Sequence, residues 1–116
     1  MEHKNEVGQM AELTARDDRK TEIGLAQAVA AHAYGLSLQE MDGRKRIAAR
    51  ARQVAMYLAH VGLRLGLRET GRGFGRNHMA VAHACRRVEE ARENPAFDRT
   101  VEWLETLVRR AAGAPA

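Results

Sequence analysis

Apolar residues recur along most of the chain at intervals of three and four, the spacing of one face of an α-helix, and no stretch alternates with period two. The first series is Ile23, Leu25, Ala26, Val29, Ala30 and Ala33, and it predicts a helix starting at Thr21. Glu22 in its first turn complements the helix dipole, and Gly35 is placed as the residue that stops it. Residues 1–20 are charged and weakly patterned, and they read as a frayed helix or flexible tail. Ser37-Leu38-Gln39-Glu40 has the form of a capping box and predicts a short second helix ending near Gly43. Ala51, Val54, Ala55, Leu58, Val61 and Leu65 form the buried stripe of a third helix from about Ile47, with Gly62 and Gly66 marking its exit. Asn94 and Pro95 are an N-cap and first-turn pair. They open a last helix to about Ala111, with Phe97, Val101, Leu104 and Val108 on one side.

Between these helices lies the stretch Leu67 to Arg92, LRETGRGFGRNHMAVAHACRRVEEAR, which reads as a helix-turn-helix. A short helix, about Leu67 to Gly73, leads to a tight turn at Phe74-Gly75-Arg76, where Gly75 accepts a positive φ. Asn77 is placed as N-cap of the longer second helix. Val81, Ala84, Cys85 and Val88 form its apolar back, while His78, His83, Arg86 and Arg87 fall away from that stripe. The fold expected is all-α: a compact bundle of about six helices over residues 21–112, followed by a short tail at 113–116. The low aromatic share, 4%, implies a core of Ala, Leu, Val and Met.

Charge sharpens this picture. The net charge is +4, but it is unevenly spread. Residues 1–43 carry 4 Lys+Arg and 8 Asp+Glu, residues 44–87 carry 11 and the single acid Glu69, and residues 88–116 carry 4 and 6. A basic middle between mildly acidic ends is the electrostatic footprint of a phosphate-backbone binder.

Enzyme chemistry is not expected. The five histidines, His3, His32, His60, His78 and His83, have neither HExxH nor another tight metal spacing, and His78 and His83 face different ways on their helix. Gly71-Arg72-Gly73-Phe74-Gly75 has neither a preceding strand nor the GxxxxGK[ST] of a nucleotide-binding loop. No cofactor and no metal are implied. The lone cysteine, Cys85, lies on the apolar stripe, reads as a small buried hydrophobe, and suits a reducing cytoplasm. The N-terminus lacks the apolar core of a signal peptide, and no run is long enough to span a membrane. A cytoplasmic, nucleoid-associated protein is the expectation.

Position assigns roles toward duplex DNA. Arg76, Asn77, His78, Met79 and Ala80 form the turn exit and first turn, the place from which side chains reach base edges. Arg and Asn suit bidentate contacts to guanine and adenine, and Met79 or Ala80 suits a thymine methyl. Arg52, Gln53, Arg86 and Arg87 are candidate phosphate clamps, and Arg44, Lys45 and Arg46 form an arm suited to a narrow minor groove. Trp103 and Leu107 add apolar surface to the last helix, as a lid on the core or as a site for a partner or a second copy.

Two stretches resemble a known family. Arg52-Gln53-Val54-Ala55-Met56 and Arg76-Asn77-His78, followed by Val81-Ala82-His83-Ala84-Cys85-Arg86-Arg87-Val88-Glu89, resemble the DNA-binding domain IV of the bacterial replication initiator family, DnaA. The resemblance implies an all-helical domain that binds double-stranded DNA. By position, Arg76, Asn77 and His78 would approach bases, Arg52, Gln53, His60, Arg86 and Arg87 would hold phosphates, and Arg44 or Arg46 would reach the minor groove. The departures are Asn77 where the family has an acid, Met79 and Ala80 where it has two threonines, and a turn one residue shorter. The chain also resembles small DnaA-like helix-turn-helix regulators, including gene transfer agent activators. The leading expectation is therefore a sequence-specific transcriptional regulator. The alternatives are a replication-linked or architectural binder competing at initiator sites, and an interaction module that recruits RNA polymerase or a co-activator through the helix around Trp103.

Overall fold

The computed structural model describes residues 2–113. It contains five α-helices: α1 (Glu2–Ala33), α2 (Arg46–Tyr57), α3 (Leu67–Phe74), α4 (His78–Ala91) and α5 (Pro95–Ala111). A 3₁₀ turn at Glu40–Asp42 precedes α2, a π-helical turn at Leu58–Gly62 follows it, and no strand occurs among the described residues. The all-α expectation holds, with five helices in place of about six.

Three elements differ from their expected form. The third helix, expected to carry its stripe to Leu65, ends as α2 at Tyr57 and gives way to the π-helical turn, so Leu65 lies beyond the helix. The helix expected to start at Thr21 starts at Glu2. Val7, Met10 and Leu13 in this added segment are exposed, so the hydrophobic pattern gave no sign of it. It is helical through residues of high intrinsic propensity, such as Glu, Gln, Met, Ala, Arg and Lys. The helix expected after Ser37 is a single 3₁₀ turn. Its capping box is present, with the Ser37 N–H donating to Glu40 Oε1 at 3.0 Å and the Glu40 N–H to Ser37 Oγ at 3.1 Å. Only Met41 of this turn is buried, and one apolar anchor before Gly43 does not sustain a longer helix. Residues 114–116 of the expected tail lie outside the described residues.

The core is built around α2. Ala51, Val54, Ala55 and Leu58 are completely buried between α1 and α4. Three of the four are small, so the neighbouring helices approach closely. α1 supplies Ile23, Ala26 and Ala30, α4 supplies Val81, Ala84, Cys85 and Val88, and α5 supplies Val101, Leu104 and Val108. α1 ends as expected, with Gly35 at φ 65° and the Leu36 N–H bonded to the Ala31 carbonyl at 2.9 Å. α5 begins as expected, with Asn94 Oδ1 accepting from the N–H groups of Ala96 and Phe97.

One polar hub joins three helices. Arg92, at the end of α4, donates to the Tyr57 hydroxyl at 2.9 Å, to Glu105 Oε1 at 2.6 Å and to Asp98 Oδ1 at 2.5 Å. Its guanidinium also lies 5.8 Å from the Tyr57 ring centroid. Burial alone would lower the Arg92 pKa, but the bonds to Asp98, Tyr57 and Glu105 outweigh it and raise it, so the charge is permanent. Glu105 also pairs with Arg109, whose Nε donates to the Gly62 carbonyl at 3.0 Å. α5 is thereby tied to α4, α2 and the π-helical turn. Replacing Arg92 by Ala leaves the Glu105 carboxylate, only 12% exposed, without its shorter ion pair. We expect a loss of about 2–4 kcal/mol, read as a lower denaturation midpoint with an unchanged urea m-value.

Candidate nucleic-acid interface

The helix-turn-helix is set by backbone contacts in its turn. α3 ends at Phe74, and Gly75 takes the left-handed conformation at φ 67°. The Arg76 N–H then bonds to the Gly71 carbonyl at 2.8 Å and the Gly75 N–H to the Arg72 carbonyl at 3.3 Å, satisfying the orphan carbonyls of α3. The returning chain passes so close that a Cβ on Gly71 would lie 2.5 Å from the Arg76 carbonyl oxygen. On the other side of α3, a Cβ on Gly73 would meet Ile23 of α1 at 2.6 Å. Gly71 and Gly73 are thus packing glycines, while Gly75 serves the left-handed turn. Asn77 has extended backbone, and its Oδ1 accepts the Ala80 N–H at 2.8 Å, so α4 opens at His78.

α4 is amphipathic as expected. Val81, Ala84, Cys85 and Val88 are buried, while His83, Arg86 and Arg87 are exposed. At the leading end Arg76, Asn77 and Met79 are exposed and His78 and Ala80 half-buried, with Met79 67% accessible. The Asn77 cap constrains one expected role. A bidentate contact to adenine needs both the carbonyl and the amide of the side chain. The carbonyl oxygen already accepts the Ala80 N–H, so such a contact has the oxygen's second lone pair and the amide nitrogen left to use.

The remaining candidates divide. Arg44, Lys45 and Arg46 are exposed at the start of α2. Arg87 is exposed and sits 3.6 Å from Glu90, a weak surface pair. Gln53 and Arg87 line one hollow with Tyr34, Arg46 and Arg50. Arg52 is half-buried and donates to the Met41 and Gly43 carbonyls, so its first task is to hold the basic loop. His60 Nδ1 lies 2.7 Å from the Leu65 carbonyl, which holds the exit of the π-helical turn and leaves Nε2 as its other ring nitrogen.

Arg50, which is not among the residues assigned from the sequence, belongs to this cluster. Its guanidinium lies 5.3 Å from the Phe97 ring centroid, and its Nη1 is buried without a hydrogen-bond partner among the described residues. The signal was available in the spacing: Arg46, Arg50 and Gln53 fall four and three apart, on one face of α2.

The comparisons with known proteins agree with this geometry. The family model of the bacterial DnaA protein helix-turn-helix matches residues 12–88. The chain belongs to this family. The chromosomal replication initiator protein DnaA of Cereibacter sphaeroides (strain ATCC 17029 / ATH 2.4.9) is 42% identical over 84 residues, covering 70% of this chain and 18% of that protein. The DnaA of Anaplasma marginale (strain St. Maries) is 35% identical over 105 residues, covering 88% of this chain and 22% of that protein. A crystal structure of a DNA replication initiation factor matches 96% of this chain and 36% of that chain, with a TM-score of 0.76 and 27% identity. The chain therefore spans about a fifth of the length of the curated DnaA relatives.

The DnaA match begins at residue 12, inside the part of α1 that the hydrophobic pattern left out. The expected departure at Asn77 leaves the N-cap in place, because Asn and Asp cap equally well.

Two outcomes follow from this geometry. Gly71→Ala places a methyl group against rigid backbone, and we expect a loss of about 1–3 kcal/mol with the helix-turn-helix distorted, seen as amide chemical-shift changes centred on residues 71–80. Burial, aided by Glu89, pushes the Cys85 thiol up to about 11. Iodoacetamide at neutral pH should therefore leave native Cys85 unmodified and label it fully only in denaturant, as mass spectrometry reads directly.

Proposed function

We propose that the chain is a sequence-specific double-stranded DNA-binding protein that acts as a transcriptional regulator. The observation that carries this reading is the capped, exposed leading end of α4, with Arg76, Asn77, His78 and Met79 presented ahead of a buried apolar back. A helix so presented suits the major groove, with first-turn side chains at base edges. In this reading Arg76, the Asn77 amide, His78, Met79 and Ala80 meet bases. Gln53, Arg86 and Arg87, joined by Arg46 and Arg50, hold phosphates. Arg52 and His60 orient the loop and turn and reach phosphates with their remaining donors. Arg44 and Lys45, with Arg46 at the root, form the minor-groove arm. The regulatory role rests on the resemblance to small DnaA-like regulators, gene transfer agent activators among them. No catalytic step is assigned to the chain, and its place of action in this reading is the nucleoid.

A replication-linked role is the second reading, favoured by the relatives, which are chromosomal replication initiator proteins. Recruitment of RNA polymerase or a co-activator belongs to the regulator reading. Trp103, 59% exposed, is the side chain it would use, while Val101, Leu104 and Val108 of the same helix form the lid on the core.

Selection of bound duplexes from a random pool tests the reading. One enriched motif is the expected result, and failure to bind any duplex at low salt rejects it. A motif shared with the relatives' initiator sites would favour the replication role. With that motif in hand, His78→Ala should relax sequence preference, and Arg87→Ala should weaken every sequence about equally and reduce the salt slope by about one. Uniform loss in both variants would overturn the docking.

A further inference from the structure

A second basic surface lies outside the helix-turn-helix. On α1, positions 16, 19, 20, 23, 24 and 27 share one helical face, and this face lines an open trough against the end of α3. Three of these residues are cations, Arg16, Arg19 and Lys20, and Arg72 of α3 faces them across the trough. The single carboxylate lining it, Glu69, is held by Arg19 at 3.0 Å. Four cations thus face one acid, although this third of the chain is acidic overall. Asp17 and Asp18 do not line the trough.

The trough is continuous with the leading end of α4. Gln27 lines it and also lines the adjoining hollow, where Arg52 and Arg76 stand with one acid, Asp42. A basic track therefore runs from Arg76 past Gln27 and Arg72 to Lys20 and Arg16. Gln27 lies eleven positions after Arg16 on α1, a rise of about 16 Å. One DNA strand carries a phosphate per about 3.4 Å of axis, so this length can follow several phosphates.

We propose that the α1–α3 trough is a second phosphate-binding track, which holds the DNA backbone flanking the base pairs read by α4. The proposal rests on the duplex-binding reading above and lengthens its footprint. Arg16 and Lys20 are exposed, and Arg72 continues the track onto the helix-turn-helix itself. The bases in this flank are not contacted, so the track adds affinity and salt dependence without sequence preference.

The test uses the full chain and two duplexes: the enriched motif trimmed to the shortest length that binds, and the same motif with about one helical turn, roughly ten base pairs, added at each end. The wild type should bind the longer duplex more tightly and with a steeper salt slope. Arg16→Ala/Lys20→Ala should leave binding to the short duplex unchanged and lower the slope on the long one by about 1.8, the value for two phosphates. Arg16→Lys/Lys20→Arg should behave as wild type. No gain from the flanks in the wild type, a gain that survives in the double-alanine variant, or an equal loss on both duplexes overturns the proposal. Flank-independent DNA binding combined with charge-dependent binding to phosphatidylglycerol vesicles would also overturn it, assigning the trough to a lipid surface. Failure to bind either duplex would instead reject the duplex-binding reading itself.

Discussion

The close approach of the Asn77 turn to α3 sets the position of the leading end of α4, on which the recognition geometry of this chain depends. Gly71 has no side chain, so the Arg76 carbonyl can sit where a Cβ would otherwise be. That approach lets the Arg76 N–H bond back to the Gly71 carbonyl and brings Asn77 to the head of α4. The other end of α4 is held by Arg92, which reaches α2 through Tyr57 and α5 through Asp98 and Glu105. Between the two ends, Val81, Ala84, Cys85 and Val88 pack into α2. A helix fixed at both ends and along its back offers a pre-organised front, which limits the ordering cost of recognition.

Rigidity of this kind divides the charged residues into two groups. Arg92 and Arg52 are partly buried and spend their donors on the protein: one joins helices, the other holds the loop before α2. Arg44, Lys45, Arg76 and Arg86 are exposed. Exposed cations add little to stability, since side-chain entropy and solvent screening offset surface ion pairs. Their value lies in binding polyanions, where neutralising a phosphate releases condensed counterions. Arg50 stands between the groups. Its guanidinium lies over the Phe97 ring, yet one nitrogen lacks a partner among the described residues. An unsatisfied buried donor is costly, and it sits in a hollow that already gathers Arg46, Gln53 and Arg87.

Much of the fold was legible because the signals were local and redundant. The Asn77 and Asn94 caps, the Gly35 and Gly75 stops and the Ser37–Glu40 capping box are all in place. Each needs only residues a few positions apart. The first twenty residues were not legible, because an exposed helix leaves no hydrophobic period to detect. The 3₁₀ turn after Ser37 is a matter of length: the caps were right, but too little apolar surface followed. The π-helical turn was equally invisible, since the extra residue that makes the Leu63 N–H bond to the Leu58 carbonyl leaves no compositional mark.

The site was legible in its outline and less so in its division of labour. Sequence position brought Arg76, Asn77, His78 and Met79 to the head of one helix, and the structure places them there. It gave no warning that Arg52 would turn back to the Met41 and Gly43 carbonyls. This is a choice between a backbone partner and an external one, and it depends on where the segment before α2 comes to rest. The same limit hid the basic trough. Arg16, Arg19 and Lys20 belong to an acidic third of the chain, so a charge count along the sequence averages them away. Only the helical face they share, and the packing of that face beside Arg72, turns them into a concentrated positive surface. A charge profile along a chain locates a polyanion surface only where the basic residues are also neighbours in sequence. Where the surface is assembled from helix faces, as between α1 and α3, it emerges from the fold.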